Sequence, residues 1–269
     1  MNTKSTIVER YSLPAYLILT PLLSLAIALF LPLPTVAIAL LLILIPAALA
    51  ILLTALAEGR KSAAELLKKL FQWRVGLKWY IVALVIPVGI ILASSVLAFL
   101  LGWIPNIQIR VPTPAQLISN FVLILLVAIL EELGWRGYAL PRLLARRSPL
   151  TSALLIGIAW GILHIGIGLL DGRPWLPTFL APLGLSIVLT WLFMHTRGSL
   201  AIAMLFHFMM DFSPQFLLYG LTTAQAIWSQ AIVILALAFI LIVIFGQNLQ
   251  RRFVEKPTIV DKVYSLGRD

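Results

Sequence analysis

The segment "NFVLILLVAILEELGWRG", residues 120–137, sets the terms for what this chain can be. It opens as one of eight apolar runs that are too long and too continuous for a soluble helix or strand. Runs of about 18 or more apolar residues read as membrane-spanning helices. In lipid, backbone N–H and C=O groups must be satisfied within each segment, which a helix achieves and a lone strand does not. The spans fall at roughly 12–31, 35–57, 79–101, 115–144, 150–170, 176–196, 199–219 and 225–246. Pro- and Gly-rich breaks separate them, among them "LPLP" (31–34), "VPTP" (111–114) and "DGRPWLP" (171–177). The expected fold class is all-α: a polytopic integral membrane protein of eight transmembrane helices.

Charge supports the count. Only 11% of residues are charged and 61% are hydrophobic, against about 25% charged in soluble domains. With eight spans, 18 of the 20 lysines and arginines fall on one side, and only Arg110 and Arg173 on the other. Such a bias marks the cytoplasmic side and puts both termini there. The lack of cysteine and the plain topology fit a prokaryotic plasma membrane. It also explains the net charge of +10 by contact with anionic lipid headgroups rather than nucleic acid, which is not expected as a partner. The first run follows Lys4 and Arg10 as a signal peptide would, but leads straight into further spans and reads as a first transmembrane helix. There is no cysteine, so disulfide and thiolate chemistry are excluded.

One domain is expected over residues 1–269, with its core at about 115–220. Within "GRKSAAELLKKLFQWRVGLK" (59–78), Leu66, Leu67, Leu70 and Phe71 recur at helical spacing between lysines, which predicts an amphipathic helix lying on the cytoplasmic surface. A short polar cytoplasmic tail is expected over 247–269.

Against this background, ionisable residues inside spans stand out as functional candidates. They are Glu131, Glu132, Asp211, His164, His195 and His207. His195 closes its span beside Thr196 and Arg197 and is expected to be structural. The others share a depth. At about 1.5 Å per residue, Glu131 lies roughly 20 Å from the basic edge, His164 roughly 21 Å, Asp211 roughly 18 Å and His207 roughly 12 Å. Adjacent Glu131 and Glu132 point about 100° apart on a helix, so they divide the work. Glu132 faces Arg136 one turn on and is expected to pair with it. Glu131 is left to face the interior as a general base. His207 and Asp211 are likewise one turn apart, as are Trp160 and His164, so Asp211 and Trp160 are placed to orient the two imidazoles.

A base, two imidazoles and an orienting carboxylate are the parts that amide hydrolysis requires: a water made nucleophilic, donors for the oxyanion and an acid for the leaving amine. Glu131, His164 and His207 would equally form a three-ligand zinc site with an open position for water. The sequence alone does not choose between these.

The elements "EELGWR" (131–136), "WGILH" (160–164) and "HFMMD" (207–211), in that order on successive spans, resemble the CAAX prenyl endopeptidase type 2 family, the wider group of CPBP or Abi intramembrane proteases. The family pattern is Glu-Glu-x-x-x-Arg, then Phe-x-x-x-His, then His-x-x-x-Asn or Asp. The resemblance implies an eight-helix intramembrane endopeptidase whose cavity opens toward the cytoplasm. It acts on a protein or peptide substrate that is prenylated or otherwise membrane-associated. Carried over by position, Glu131 and His164 activate the water, His207 and Asp211 stabilise the oxyanion, and Glu132 and Arg136 support them. A metal-independent glutamate mechanism is the preferred implication, with no cofactor; zinc is the alternative. Trp160 stands where Phe is usual, and Asp211 where Asn is common. An ionised Asp cannot donate to an oxyanion, so Asp211 is either protonated or an orienter of His207. Two other functions use the same buried groups: a proton-coupled transporter with a Glu/His/Asp relay, and a non-catalytic immunity or scaffold protein. The lack of a second Glu-Glu element in another half counts against the transporter.

Overall fold

The computed structural model describes residues 7–250, so the expected tail lies outside the described residues from residue 251 on. Every regular element among the described residues is helical, and eight helices are long and apolar enough to cross a membrane. This is an integral membrane protein. The chain runs α1 (Ile7–Phe30), α2 (Thr35–Glu58), α3 (Arg60–Lys68), α4 (Leu77–Leu100), α5 (Pro114–Glu132), a π-helical segment (Leu133–Ala139), α6 (Leu140–Leu144), α7 (Pro149–Asp171), α8 (Trp175–His195), α9 (Leu200–Phe212), α10 (Pro214–Leu217) and α11 (Thr223–Phe245). Large apolar side chains such as Phe30, Leu100 and Val243 stay exposed on the outside, as a lipid-facing surface requires.

Several polar residues inside the spans return their hydrogen bonds to the helix that carries them. Thr20 Oγ1 donates to the Tyr16 carbonyl at 2.7 Å, Thr54 Oγ1 to Ala50 at 2.7 Å and Ser94 Oγ to Ile90 at 2.8 Å. Helix starts are capped from within: Thr113 with Gln116, and Thr222 with Gln225, form reciprocal capping boxes.

Helix packing relies on small residues, since lipid offers no hydrophobic drive to associate. α7 and α8 meet at Gly157 and Gly161. A Cβ at Gly161 would come within 2.8 Å of the Phe179 carbonyl oxygen, and one at Gly157 within 3.0 Å of Leu183 Cα. Ser186 Oγ closes the same interface by donating to the Ala153 carbonyl at 2.8 Å. This close approach fixes the face of α7 that carries Trp160 and His164.

Inter-element contacts define two ends. At one, Ser199 Oγ donates to the Gln72 carbonyl at 2.7 Å, Lys69 Nζ donates to the Gly137 carbonyl at 3.3 Å, and Arg142 pairs with Glu58. At the other, the Arg110 N–H donates to the Phe216 carbonyl at 2.9 Å and Asn120 Nδ2 to Gln215 Oε1 at 3.0 Å. The first is the basic end; of the described lysines and arginines only Arg110 and Arg173 lie at the far end.

The helix expected over 59–78 is shorter than its periodicity suggested. α3 stops at Lys68, a 3-10 turn covers Lys69–Phe71, and residues 72–76 are non-helical before α4. Leu66 is buried and packs against Gly137, whereas Leu67 and Phe71 are exposed. The element docks on the protein through Ala63, Leu66 and the partly buried Leu70 and turns Leu67 and Phe71 outward. Burial pushes the Lys69 ammonium below its usual range, with Arg142 adding to the effect and Glu58 opposing it. The seventh span is also interrupted: α9 ends at Phe212, and Pro214 starts a separate short turn.

Candidate active site

The site begins where α5 widens. Residues Leu133–Ala139 form a π-helical segment, and each of them is buried. Such insertions are rare and concentrate at functional sites. The two glycines of "LGWRG" make it packable. A Cβ on Gly134 would meet Tyr16 Oη at 2.2 Å and the Pro46 carbonyl oxygen at 2.7 Å, so only glycine lets the segment press against α1 and α2. Tyr16 packs edge-on against Trp135, with ring centroids 5.4 Å apart.

Glu132 is the anchor. Its Oε1 accepts from Arg136 Nη1 at 2.9 Å and from His207 Nδ1 at 2.8 Å, with the Glu132 and Arg136 side chains wholly buried. The Arg136 guanidinium also lies 4.6 Å from the centre of the Trp160 ring. Burying an ion pair carries a desolvation penalty of several kcal/mol per ion, so stability does not explain its presence. What the pair achieves is orientation: one carboxylate oxygen ties α5, the π-helical segment and α9 together and sets the tilt of the His207 ring. The other ring nitrogen, Nε2, lies 3.4 Å from Asp211 Oδ2, whose side chain is 44% exposed. His207 thus has a buried, short contact on one side and an open, longer one on the other.

Glu131 turns the other way. Its Oε2 accepts from the Trp160 indole N–H at 2.6 Å. Trp160 then holds His164: the His164 Nδ1–H donates to the Trp160 carbonyl at 3.0 Å, and the rings meet edge-on at 5.5 Å. Since a carbonyl only accepts, Nδ1 carries the proton and Nε2 remains free. Trp160 also contacts the His207 ring edge-on at 5.3 Å. One indole therefore touches Glu131, His164, His207 and Arg136.

Glu131, His164, His207 and Asp211 all line one cavity of about 490 Å³. Glu131 and His207 form its floor near mid-depth. From there the walls rise to the far end through Ile43 and Ala39 on α2, Ile167 on α7, Leu185 to Thr178 on α8, Pro214, and Ile234 to Gln230 on α11, with Arg173 at the mouth. Toward the basic end the floor is backed by the buried run Leu133–Leu140.

The family model for type II CAAX prenyl endopeptidase Rce1-like proteins matches residues 113–213, the stretch that runs from the cap of α5 to the end of α9. The CAAX prenyl protease 2 of Methanococcus maripaludis is similar at 28% identity over 181 residues, covering 61% of this chain. The chain spans 66% of the length of that relative. The matched segment contains Glu131, Glu132, Arg136, Trp160, His164, His207 and Asp211, whereas α2 and α11, which complete the cavity wall, fall outside it.

Among the described residues no three His, Asp or Glu side chains converge as ligands. His207 faces a carboxylate with each nitrogen, Glu132 at 2.8 Å and Asp211 at 3.4 Å. His195 lies apart from the cavity: its Nδ1 donates to the Trp191 carbonyl at 2.8 Å and its ring packs among Trp79, Trp191 and Phe245.

Sequence reasoning missed the His207–Glu132 bond, which spans 75 residues and has no local signature. It also missed Thr178 and Gln230 in the cavity wall. Arg173 was visible only as one of two basic residues on the wrong side of the charge count.

Proposed function

We propose that this protein is an intramembrane endopeptidase that hydrolyses a peptide bond in a membrane-associated protein or peptide. The convergence of Glu131, His164 and His207 on one mid-depth cavity floor is the observation that supports this most. Trp160 occupies Glu131 Oε2, leaving Oε1 to take a proton from water held between it and His164 Nε2. The water oxygen then attacks the scissile carbonyl carbon. With Glu132 accepting from Nδ1–H, His207 as imidazolium donates from Nε2–H to the oxyanion, and Asp211 steadies the ring. The proton held by Glu131 passes to the leaving nitrogen as the C–N bond breaks, and the carboxylate is restored. This sequence needs no metal.

The name of the Methanococcus maripaludis relative points to prenylated CAAX proteins as one substrate class, and that relative together with the charge bias favours a prokaryotic plasma membrane with both termini cytoplasmic. The test is Glu131→Gln in purified full-length protein, assayed on membrane-anchored peptides with and without a prenyl group. Loss of a general base removes roughly 10²–10⁴-fold of rate. Equal cleavage by wild type and variant, or none by either across the panel, sinks the assignment.

A further inference from the structure

A second pocket, of about 200 Å³, lies at the basic end, apart from the cavity that holds Glu131. Its walls include Glu9 and Arg10 from the first turn of α1, Glu58 from the end of α2, Arg142 from α6 and Arg146 just after it. Arg142 is fully engaged by the protein. It pairs with Glu58, donates to the Tyr138 carbonyl at 2.9 Å and lies 4.0 Å from the centre of the Tyr138 ring. Arg10 and Arg146 are placed differently. Among the described residues neither pairs with a carboxylate, and Arg10 meets the Tyr11 ring at 5.5 Å. Each guanidinium carries five N–H donors and no acceptor. Two such charges lining one small pocket repel each other, and an anion between them relieves that repulsion.

The depth of the pocket narrows the choice of anion. At about 1.5 Å per residue, Arg146 lies roughly 20 Å along the helix from mid-depth Glu131. Half a bilayer with its headgroups is about 20–22 Å thick, so the pocket stands at headgroup level. Three guanidiniums and two carboxylates line it, a balance of one positive charge, and a phosphodiester carries one negative charge. We infer that this pocket is a specific site for an anionic glycerophospholipid, with the headgroup phosphate held by Arg10 and Arg146. A lipid fits better than a free phosphate because α1 borders the bilayer there: Tyr11, Ile18 and Leu22 share one helical face and are all exposed. General attraction of basic loops to anionic lipid spreads over every cation at this end; here the binding is assigned to two of them. Arg142 stands between the pocket and Tyr138 of the π-helical segment, so a seated headgroup braces α1, α2 and α6 around that segment. The inference does not depend on the protease reading.

The test uses purified full-length protein, stripped of lipid in detergent, mixed with dioctanoylphosphatidylglycerol and read by native mass spectrometry. Wild type is expected to retain one lipid. Arg10→Gln combined with Arg146→Gln should bind it roughly tenfold more weakly or worse. Arg74→Gln combined with Arg147→Gln removes the same charge from exposed basic-end residues outside the pocket and should bind as wild type does. All four arginines are exposed, so both double variants should melt like wild type in the absence of lipid. Added lipid should then raise the melting temperature of wild type and of the Arg74/Arg147 variant, but not of the Arg10/Arg146 variant. Equal weakening in the two double variants, or no lipid retained by wild type, overturns the site. Displacement of the lipid by inorganic phosphate at equal concentration overturns the choice of a lipid. An equal rise in melting temperature in all three proteins overturns the bracing role.

Discussion

The Trp160 indole N–H donates to Glu131 Oε2 across 2.6 Å, joining α7 to the last turn of α5 at the residue assigned as the base. The bond is short, as charge-assisted hydrogen bonds are. It also depends on a feature that the family pattern does not require, since phenylalanine is usual at this position and has no N–H to give. In this chain the aromatic residue thus does more than pack: it leaves one carboxylate oxygen for chemistry and fixes where that oxygen points.

Trp160→Phe retains a ring against His164 and His207 but deletes the donor. A hydrogen bond to a charged group contributes about 1.5–3 kcal/mol, so kcat on a cleavable membrane-anchored peptide is expected to fall by roughly tenfold to a hundredfold. KM should change little; thermal stability in detergent should fall, because a buried bond is lost and a smaller ring fills the site, so kcat is compared at matched folded fraction. An unchanged kcat removes Trp160 from the positioning of Glu131.

Gly134→Ala places a methyl group against Tyr16 Oη and the Pro46 carbonyl oxygen. Overpacking of this kind costs about 1–3 kcal/mol, read as a lower melting temperature of the purified protein. Adding Tyr16→Phe removes only the hydroxyl clash, so the double variant should stay destabilised because the Pro46 contact is backbone. Full recovery would show that the π-helical segment is held by the tyrosine alone.

The buried pair gives opposite results for one substitution and two. Arg136→Met leaves Glu132 charged and buried with His207 as its remaining partner, and removing one member of a buried pair costs about 3–5 kcal/mol. Glu132→Gln combined with Arg136→Met should unfold at a higher temperature than the single variant. Activity should nevertheless stay low, because the neutral amide put in place of the Glu132 carboxylate no longer offers His207 a charged acceptor. A double variant less stable than Arg136→Met contradicts this account of the pair.

Glu132 and Asp211 both face His207, unequally. Glu132 is buried at 2.8 Å, and Asp211 is half-exposed at 3.4 Å. Asp211→Asn is therefore expected to retain activity within about tenfold, while Glu132→Gln lowers kcat by more than that, since exposed contacts are screened and buried ones are not. Comparison of the two kcat values at matched folded fraction decides it. A larger loss in Asp211→Asn returns the oxyanion role to Asp211.

Hydropathy alone carried the eight spans, because lipid forces every backbone group to bond within its own segment and leaves helices as the solution. The pairs Glu132–Arg136, Trp160–His164 and His207–Asp211 were legible for a related reason: helical geometry makes residues four apart neighbours whatever surrounds them. The same local rule overreached at 59–78, where Leu66 meets Gly137 and the chain breaks into a turn once that contact is made. It was silent on the π-helical segment, whose wider turn depends on Gly134 lying against Tyr16 and Pro46 from two other helices.

The sequence by itself determined that ionisable groups from three helices sit at similar depth in a membrane, because residue count converts directly to rise along a helix. Only the tertiary structure decided which groups touch. Rotation of α7 against α8, locked at Gly157 and Gly161, brings Trp160 to Glu131. The packing of α5 against α9 gives His207 to Glu132 rather than to Asp211 alone. The half of the bundle that the cavity occupies was decided there too, since it depends on where large side chains fill the interior, a property of packing that no single helix records.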